Sequence, residues 1–219
     1  MTPQQELLLK RYTEEVVNSP LHLTSDGDKD IFWTRHVQDA VKLMNLIPYE
    51  YQKDGIRVID VGSGNGIPGI PAAILNPSWN VYLLDSDNKK CGFIDMICKK
   101  YTIKNCRVFV GRAEIFGQQS IRQTYDLAFS RALGKLPTAL ELASCFVKVG
   151  GLLVVPHGTS WESELNESTT AIETLKLKLA SKFIYELDGV QFCALMFEKI
   201  GDTPILYPRQ NGIPEKKPL

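Results

Sequence analysis

The run Arg57-Val-Ile-Asp-Val-Gly-Ser-Gly-Asn-Gly-Ile-Pro-Gly-Ile-Pro71 constrains the fold of this chain more than any other stretch. Arg57 to Val61 is rich in β-branched residues and stops abruptly at glycine, the pattern of a buried strand in a parallel sheet. Gly62, Gly64 and Gly66 then occupy every second position. Glycine accepts positive φ and puts no Cβ between the backbone and a ligand. A helix beginning near Ile67 would turn its free N-terminal N–H groups toward that ligand. Strand, glycine turn and helix start in this order predict a nucleotide-binding turn. Position 67 is Ile, so the G-x-G-x-x-G dinucleotide frame does not fit. No Gly-Lys-Ser/Thr follows the turn, which excludes a P-loop.

The spacing D-x-G-x-G-x-G, opened by Asp60, resembles instead the class I methyltransferases that use S-adenosylmethionine (AdoMet), a cofactor with no pyrophosphate to grip. The surrounding elements suit that fold. Residues 1–50 read as a helical cap: an amphipathic helix from Gln4 to Asn18, a polar segment, and a second helix from about Asp30 whose apolar stripe is Phe32, Val37, Ala40, Val41 and Met44. Residues 51–203 read as the AdoMet-binding domain. After the glycine turn come strands at Asn80 to Leu84, Arg107 to Val110, Tyr125 to Phe129 and Leu152 to Val155, with helices between them. One long helix is expected from Trp161 to Lys182. Phe183 to Leu187 and Gln191 to Lys199 leave no room for a helix, and Asp188-Gly189 between them predicts a hairpin. The fold class is α/β, a doubly wound sheet of seven strands with the last one antiparallel. Residues 204–219, with four prolines and Arg209, Lys216 and Lys217, read as an extended basic tail.

Open parallel sheets bind ligands beyond the carboxyl ends of their strands, and chemistry-bearing residues stand at those ends here. Asp85, 19 positions after Gly66, is where a carboxylate can accept both ribose hydroxyls of a nucleoside. Ala113 and Glu114 follow the third strand, Arg131 the fourth and His157 the fifth. Arg131 can hold a guanine oxygen or a phosphate through its planar fork, or pair with a sheet-end carboxylate such as Asp85 or Glu114. Arg35 and His36 on the cap helix can face the pocket or pair structurally with Asp39.

The 25 basic and 25 acidic residues cancel, so any RNA-binding surface must be a local patch. No apolar run reaches the roughly 18 to 20 residues of a membrane span, and the first twenty residues lack a signal-peptide profile; both point to a cytosolic protein. The five cysteines form no C-x-x-C pair and the three histidines are scattered, which supports reduced thiols and no metal site.

Asp60-Val-Gly-Ser-Gly-Asn-Gly-Ile-Pro-Gly-Ile-Pro71, Leu83-Leu-Asp-Ser86, Arg112-Ala-Glu114 and Ser130-Arg-Ala132 resemble, in order and spacing, the RsmG (GidB) methyltransferases of bacteria. Arg35-His36 with Asp39, Leu23-Thr-Ser25 and the ending Tyr207-Pro-Arg209 to Lys217-Pro-Leu219 extend the resemblance over nearly the whole chain. It implies transfer of a methyl group from AdoMet to N7 of a guanine in 16S ribosomal RNA, on free RNA or the 30S subunit, by a monomer. It also implies cofactor contacts at Gly62, Gly64, Gly66 and Ile67, the ribose on Asp85, the adenine beside Ala113 and Glu114, and Arg131 facing the methyl-transfer zone as the catalytic residue and a further cofactor contact. Arg35, His36, Lys89, Lys90, His157, Arg209, Lys216 and Lys217 are the candidates for RNA contact. The chain departs from the family at His22-Leu-Thr, where Asn-Leu-Thr is usual, and at His157-Gly158, where Lys-Gly is usual. Guanine N7 needs no general base, and the sequence carries neither the Pro-Pro motif of amino-nitrogen methylation after the fourth strand nor a Pro-Cys nucleophile. A small-molecule or protein methyltransferase, or a non-catalytic RNA-binding assembly factor, remains open on the same fold.

Overall fold

The computed structural model describes residues 1–219. Its single sheet has strands β1 (Arg57–Val61), β2 (Asn80–Asp85), β3 (Cys106–Val110), β4 (Tyr125–Ser130), β5 (Val147–His157), β6 (Leu177–Leu187) and β7 (Val190–Lys199) in the order β3-β2-β1-β4-β5-β7-β6. Every pairing from β3 to β5 is parallel, and β7 alone runs against both of its neighbours. The chain direction across the sheet reverses between β1 and β4, the switch point at which such sheets open a ligand crevice.

Alternation along the strands divides the core in two. In β1, Val58 faces one side with Leu83 and Phe129, while Ile59 and Val61 face the other with Ala128 and Leu153. The first side is covered by α1 (Pro3–Val17), α2 (Lys29–Phe32), α3 (Asp39–Leu46), α4 (Gly69–Leu75) and α5 (Asn88–Lys100). Between α2 and α3, Trp33–Gln38 continues the same helix as a π turn. The second side is covered by α7 (Leu136–Ser144), α8 (Trp161–Glu167) and α9 (Thr169–Thr174), with short α6 (Ala113–Phe116) and α10 (Ile213–Lys216) at its edge.

The cap is fastened to the glycine turn. Gln5, which closes a capping box with Thr2, donates through Nε2 to the carbonyls of Ile74 and Leu75 at the end of α4 (3.0 and 3.1 Å). The Tyr12 hydroxyl donates to the Asn65 carbonyl (2.9 Å), and Asn65 Nδ2 donates to the Leu23 carbonyl (3.2 Å). Leu9, Tyr12 and Val16 are the buried stripe of α1, as the helical period requires.

Three expectations are corrected. The long helix from Trp161 ends at Thr174, interrupted at Ser168, and Leu177 already begins β6. Leu177 to Lys182 pairs with β7, and that long-range ladder outweighs local helix propensity. The fifth strand is longer than Leu152 to Val155 because it continues against β7 as far as His157. The tail is not extended: it folds back, buries Pro214 and forms α10, held by the Arg209 guanidinium on the fully buried Glu141 of α7 through Nε (3.0 and 3.1 Å) and Nη2 (2.6 Å) and by Arg122, Gln118 and Thr138 donating to its carbonyls. No helix is long and apolar enough to cross a membrane.

Candidate active site

The glycine turn is shaped by backbone bonds. Gly62 and Ser63 donate their N–H groups to the Leu84 carbonyl (2.8 and 3.1 Å), and Gly64 donates to Asp85 Oδ2 (2.7 Å). Asp85 Oδ1 accepts from the Asp87 N–H (2.9 Å), so both oxygens are oriented and both keep a lone pair for a ligand. Gly62 sits at φ +73°, and a Cβ there would lie 2.5 Å from Leu133 Cδ1; a side chain would be strained by the conformation and would displace the Leu133 terminus. Asp60 lies beneath the turn rather than in it. Its Oδ2 accepts from the Gly69 N–H (2.9 Å) at the start of α4, its Oδ1 has no partner, and burial pushes its carboxyl up to about 7.

A trough runs over the carboxyl ends of β1, β2 and β3. Its wider part, about 370 Å³, is lined by Gly62 to Asn65, Ile67, Asp85, Lys90, His36 and Arg131 among others. Its narrower part is lined by Gly62, Asp85, Arg112, Ala113, Glu114 and Glu215. Leu133, leaning on Gly62, borders both parts. Gly62, Gly64, Ile67, Asp85, Ala113, Glu114 and Arg131 are therefore brought together as the sequence suggests. Gly66 is not among the lining residues: a Cβ there would meet Ile70 and the Tyr12 hydroxyl, so its φ of +102° serves packing against the cap. Sequence reasoning missed Glu215, which the folded tail delivers to the narrower part, about 70 Å³; the Gly212 N–H also reaches Glu114 Oε1 (3.3 Å).

Arg131 leaves the end of β4 just before two left-handed residues, Ala132 (φ 56°) and Gly134 (φ 87°). The sheet-end partners suggested by sequence, Asp85 and Glu114, are not the ones it takes. Its Nη2 donates to His36 Nδ1 (2.9 Å) and the Arg35 carbonyl (3.4 Å), and stands 3.5 Å from Asp39 Oδ2. Because arginine can only donate, His36 must present a bare Nδ1 and carry its proton on Nε2, which reaches Asp26 Oδ2 at 2.7 Å. Burial, then the Arg131 charge, holds the His36 imidazole below its usual value despite Asp26. Asp39 is 2% exposed and its Oδ1 accepts from the Tyr185 hydroxyl (2.6 Å); burial raises this carboxyl, with Arg131 and Tyr185 opposing. Arg35 points outward and reaches Asp26 only at 3.7 Å.

Beyond Arg131 lies a second cavity, about 260 Å³, reaching His157 and Phe192. His157 Nε2 is 3.2 Å from Glu164 Oε2, and the same oxygen accepts from the Leu136 N–H (2.8 Å), so the imidazole belongs to the α7–α8 junction as well as to the cavity wall. Burial would raise the Glu164 carboxyl, but the Leu136, Ser160 and His157 contacts hold it below its usual value. Among the RNA candidates, Lys89, Lys216 and Lys217 are exposed, Lys90 borders the trough, and Arg209 is committed to Glu141. No group of three or more His, Cys, Asp or Glu side chains that could hold a metal ion is present.

Residues 5–187 match the family described as rRNA small subunit methyltransferase G. The chain belongs to that family. It is 38% identical over 210 residues to a ribosomal RNA small subunit methyltransferase G of Thermotoga neapolitana, covering 95% of this chain and 89% of the relative. A protein of the same name from Fervidobacterium nodosum is 35% identical, with 97% of each chain covered. Solved structures at lower identity share the fold. TYW2 of M. jannaschii, in complex with AdoMet, superposes with a TM-score of 0.59 at 16% identity, covering 75% of this chain and 76% of that one. A SAM-dependent methyltransferase from Aquifex aeolicus gives 0.56 at 15% identity, covering 86% and 97%. The seven-stranded sheet is thus that of the class I AdoMet-dependent methyltransferases, and the N-terminal helices sit over its glycine turn.

Proposed function

We propose that the protein transfers a methyl group from AdoMet to N7 of a guanine in 16S ribosomal RNA. The observation that carries this reading is the position of Arg131, which borders both the trough over the glycine turn and the separate cavity toward β5 and β7. A cofactor in the first and an acceptor in the second would meet at its guanidinium. The trough suits AdoMet: the Asp85 oxygens have capacity left for two ribose hydroxyls, and Gly64, with open space where a side chain would stand, lets a ligand approach the bare backbone. Ala113, Glu114 and Glu215 would enclose the adenine, and Ile67 with Gly64 would flank the amino-acid end.

AdoMet supplies an electrophilic methyl group on a sulfonium. Guanine N7 carries an available lone pair at neutral pH, so the N–C bond forms as the S–C bond breaks, S-adenosylhomocysteine leaves, and no proton is removed first. The protein's task is then alignment, which in favourable cases contributes roughly 7 to 11 kcal/mol. Arg131, locked by His36 and Asp39, provides a fixed donor beside the acceptor. Arg35, Lys89, Lys90, Lys216 and Lys217 are the side chains we assign to RNA phosphate, each acting as a solvated charge until RNA is bound.

The test is to incubate the purified protein and labelled AdoMet with 30S subunits lacking the modification and with free 16S RNA, and to map the label. Label in 7-methylguanosine at one position is expected. No label on either RNA, or label on another atom, would sink the proposal.

A further inference from the structure

The cavity on the far side of Arg131 is bordered by Asp39, Ser130, Arg131, Val155, His157 and Phe192. Its volume of about 260 Å³ is room for roughly nine waters at ~30 Å³ each, the scale of one flat heterocycle. It shares Arg131, Ala132 and Leu133 with the cofactor trough, so an occupant of one abuts an occupant of the other. Two of its bordering residues hold buried polar atoms with no partner, Ser130 Oγ and His157 Nδ1. Both atoms are sealed from solvent, so the polar contacts open to an occupant fall to the side chains of Asp39 and Arg131 on the cavity wall. Phe192 adds an aromatic plane, its ring stacked on Tyr185 at 5.9 Å between centroids.

We infer that this cavity holds the target base extruded from the RNA, and that Asp39 makes it selective for guanine. The inference rests on the function proposed above and assigns its acceptor pocket. Asp39 Oδ1 takes the Tyr185 hydroxyl, while Oδ2 has only Arg131 at 3.5 Å, so the carboxylate keeps acceptor capacity on both oxygens. Guanine presents N1–H and N2–H₂ side by side on its Watson–Crick edge. Adenine and cytosine present an acceptor at the equivalent ring nitrogen, and uracil one donor between two acceptors. A carboxylate therefore fits guanine and opposes the others.

The order of atoms around the purine agrees with the order of residues. O6 lies between N1 and N7, and Arg131 lies between Asp39 and the cofactor trough. Its Nε and Nη1 make no hydrogen bond within the chain, leaving donors for O6. The bidentate O6/N7 grip common in DNA readout would occupy the lone pair that must attack, so the guanidinium can take O6 alone. Reading an extruded base by its Watson–Crick edge, against an aromatic ring, is a general solution for enzymes that modify bases.

The experiment uses full-length protein and 30S subunits whose 16S RNA carries either guanosine or inosine at the position methylated by the wild type. Inosine keeps N7, O6 and N1–H and lacks only the N2 amine. The wild type should favour guanosine by roughly tenfold in kcat/KM, within the discrimination one good bidentate pair supplies. Asp39→Asn, which retains an acceptor for Tyr185, should lower kcat/KM on guanosine about 10- to 100-fold, bring the guanosine-to-inosine ratio near one, and leave AdoMet affinity unchanged. A merely structural role would lower both substrates together and keep the ratio, and that result would overturn the inference while the methyltransferase reading stands. If Asp39→Asn fails to bind AdoMet, Phe192→Ala decides: a raised KM for RNA with intact AdoMet binding supports the pocket, and unchanged RNA kinetics overturn it. Absence of RNA methylation by the wild type removes both the function and the pocket.

Discussion

The two sides of Arg131 are built in opposite ways. On the cofactor side, the turn from Gly62 to Ile67 is one continuous segment whose shape is set by main-chain bonds, and its principal side chain, Asp85, lies 21 residues from the Gly64 amide it accepts. On the acceptor side nothing is continuous: Arg131 meets His36 across 95 residues, and Tyr185 meets Asp39 across 146. Main-chain geometry tolerates most single side-chain changes, whereas a wall assembled from side chains of the cap, β4, β5, β6 and β7 depends on each of them. Cofactor binding should therefore be robust and local, and acceptor handling fragile and distributed.

The largest expected effect is the exception on the robust side. Asp85→Ala removes the acceptor for two hydroxyls, and hydrogen bonds to a charged group contribute about 1.5 to 3 kcal/mol each, so AdoMet affinity measured by calorimetry should fall at least about 100-fold. A loss under threefold would break the comparison, because the turn alone would then suffice. Arg131→Ala should act on the other side, lowering single-turnover methylation of RNA about 10- to 100-fold, the value of one charge-assisted bond, with AdoMet affinity held within about threefold. Equal loss of cofactor affinity would make Arg131 a cofactor residue and erase the division drawn here.

That division also explains what could be read from sequence. The glycine spacing and Asp85 ending the second strand are local patterns, and the hairpin at Asp188-Gly189 is a local turn signal; each appears in the structure where the pattern places it, while the first strand runs one residue past Asp60 to Val61. Arg131's partner could not be read this way, since Asp39 becomes its neighbour only when the cap docks. The helix expected from Trp161 to Lys182 stops short for the same reason: Leu177 to Lys182 is a strand because β7 lies beside it. The tail misled through composition. Four prolines suggest an extended chain, yet Glu141 through Arg209, with Arg122, Gln118 and Thr138 donating to tail carbonyls, holds it folded back.

The tail offers a smaller test, because it joins the cofactor side while looking like an RNA arm. The bond to Glu141 raises the Arg209 guanidinium above its usual value, and removing it leaves Glu141 buried with only the Arg209 backbone N–H (2.8 Å). Arg209→Ala should cost about 2 kcal/mol of stability, read by denaturant unfolding, and should loosen AdoMet binding through Glu215 at the trough. Lys216→Ala should leave stability unchanged and reduce the salt dependence of RNA binding by about one unit of slope. A reversed pattern would return Arg209 to the RNA surface.

The smallest effect concerns the joint between the two sides. His36 accepts from Arg131 on Nδ1 and faces Asp26, Asp39, Arg131 and the Phe32 ring, whose centroid lies 4.8 Å away. Its pKa is held low in the folded protein, so the unfolded chain takes up the proton first as pH falls. The stability this site contributes is present above about 6.5, the unperturbed histidine value, and is lost as pH drops through the folded value. Protonation on Nδ1 replaces an acceptor for Arg131 with a second cation, which should release the guanidinium. Methylation rate should fall about tenfold on the acid side. His36→Asn, an amide that can still accept from Arg131 but does not titrate, should flatten that limb of the profile; an unchanged acid limb would place the titration elsewhere and free Arg131 from the cap.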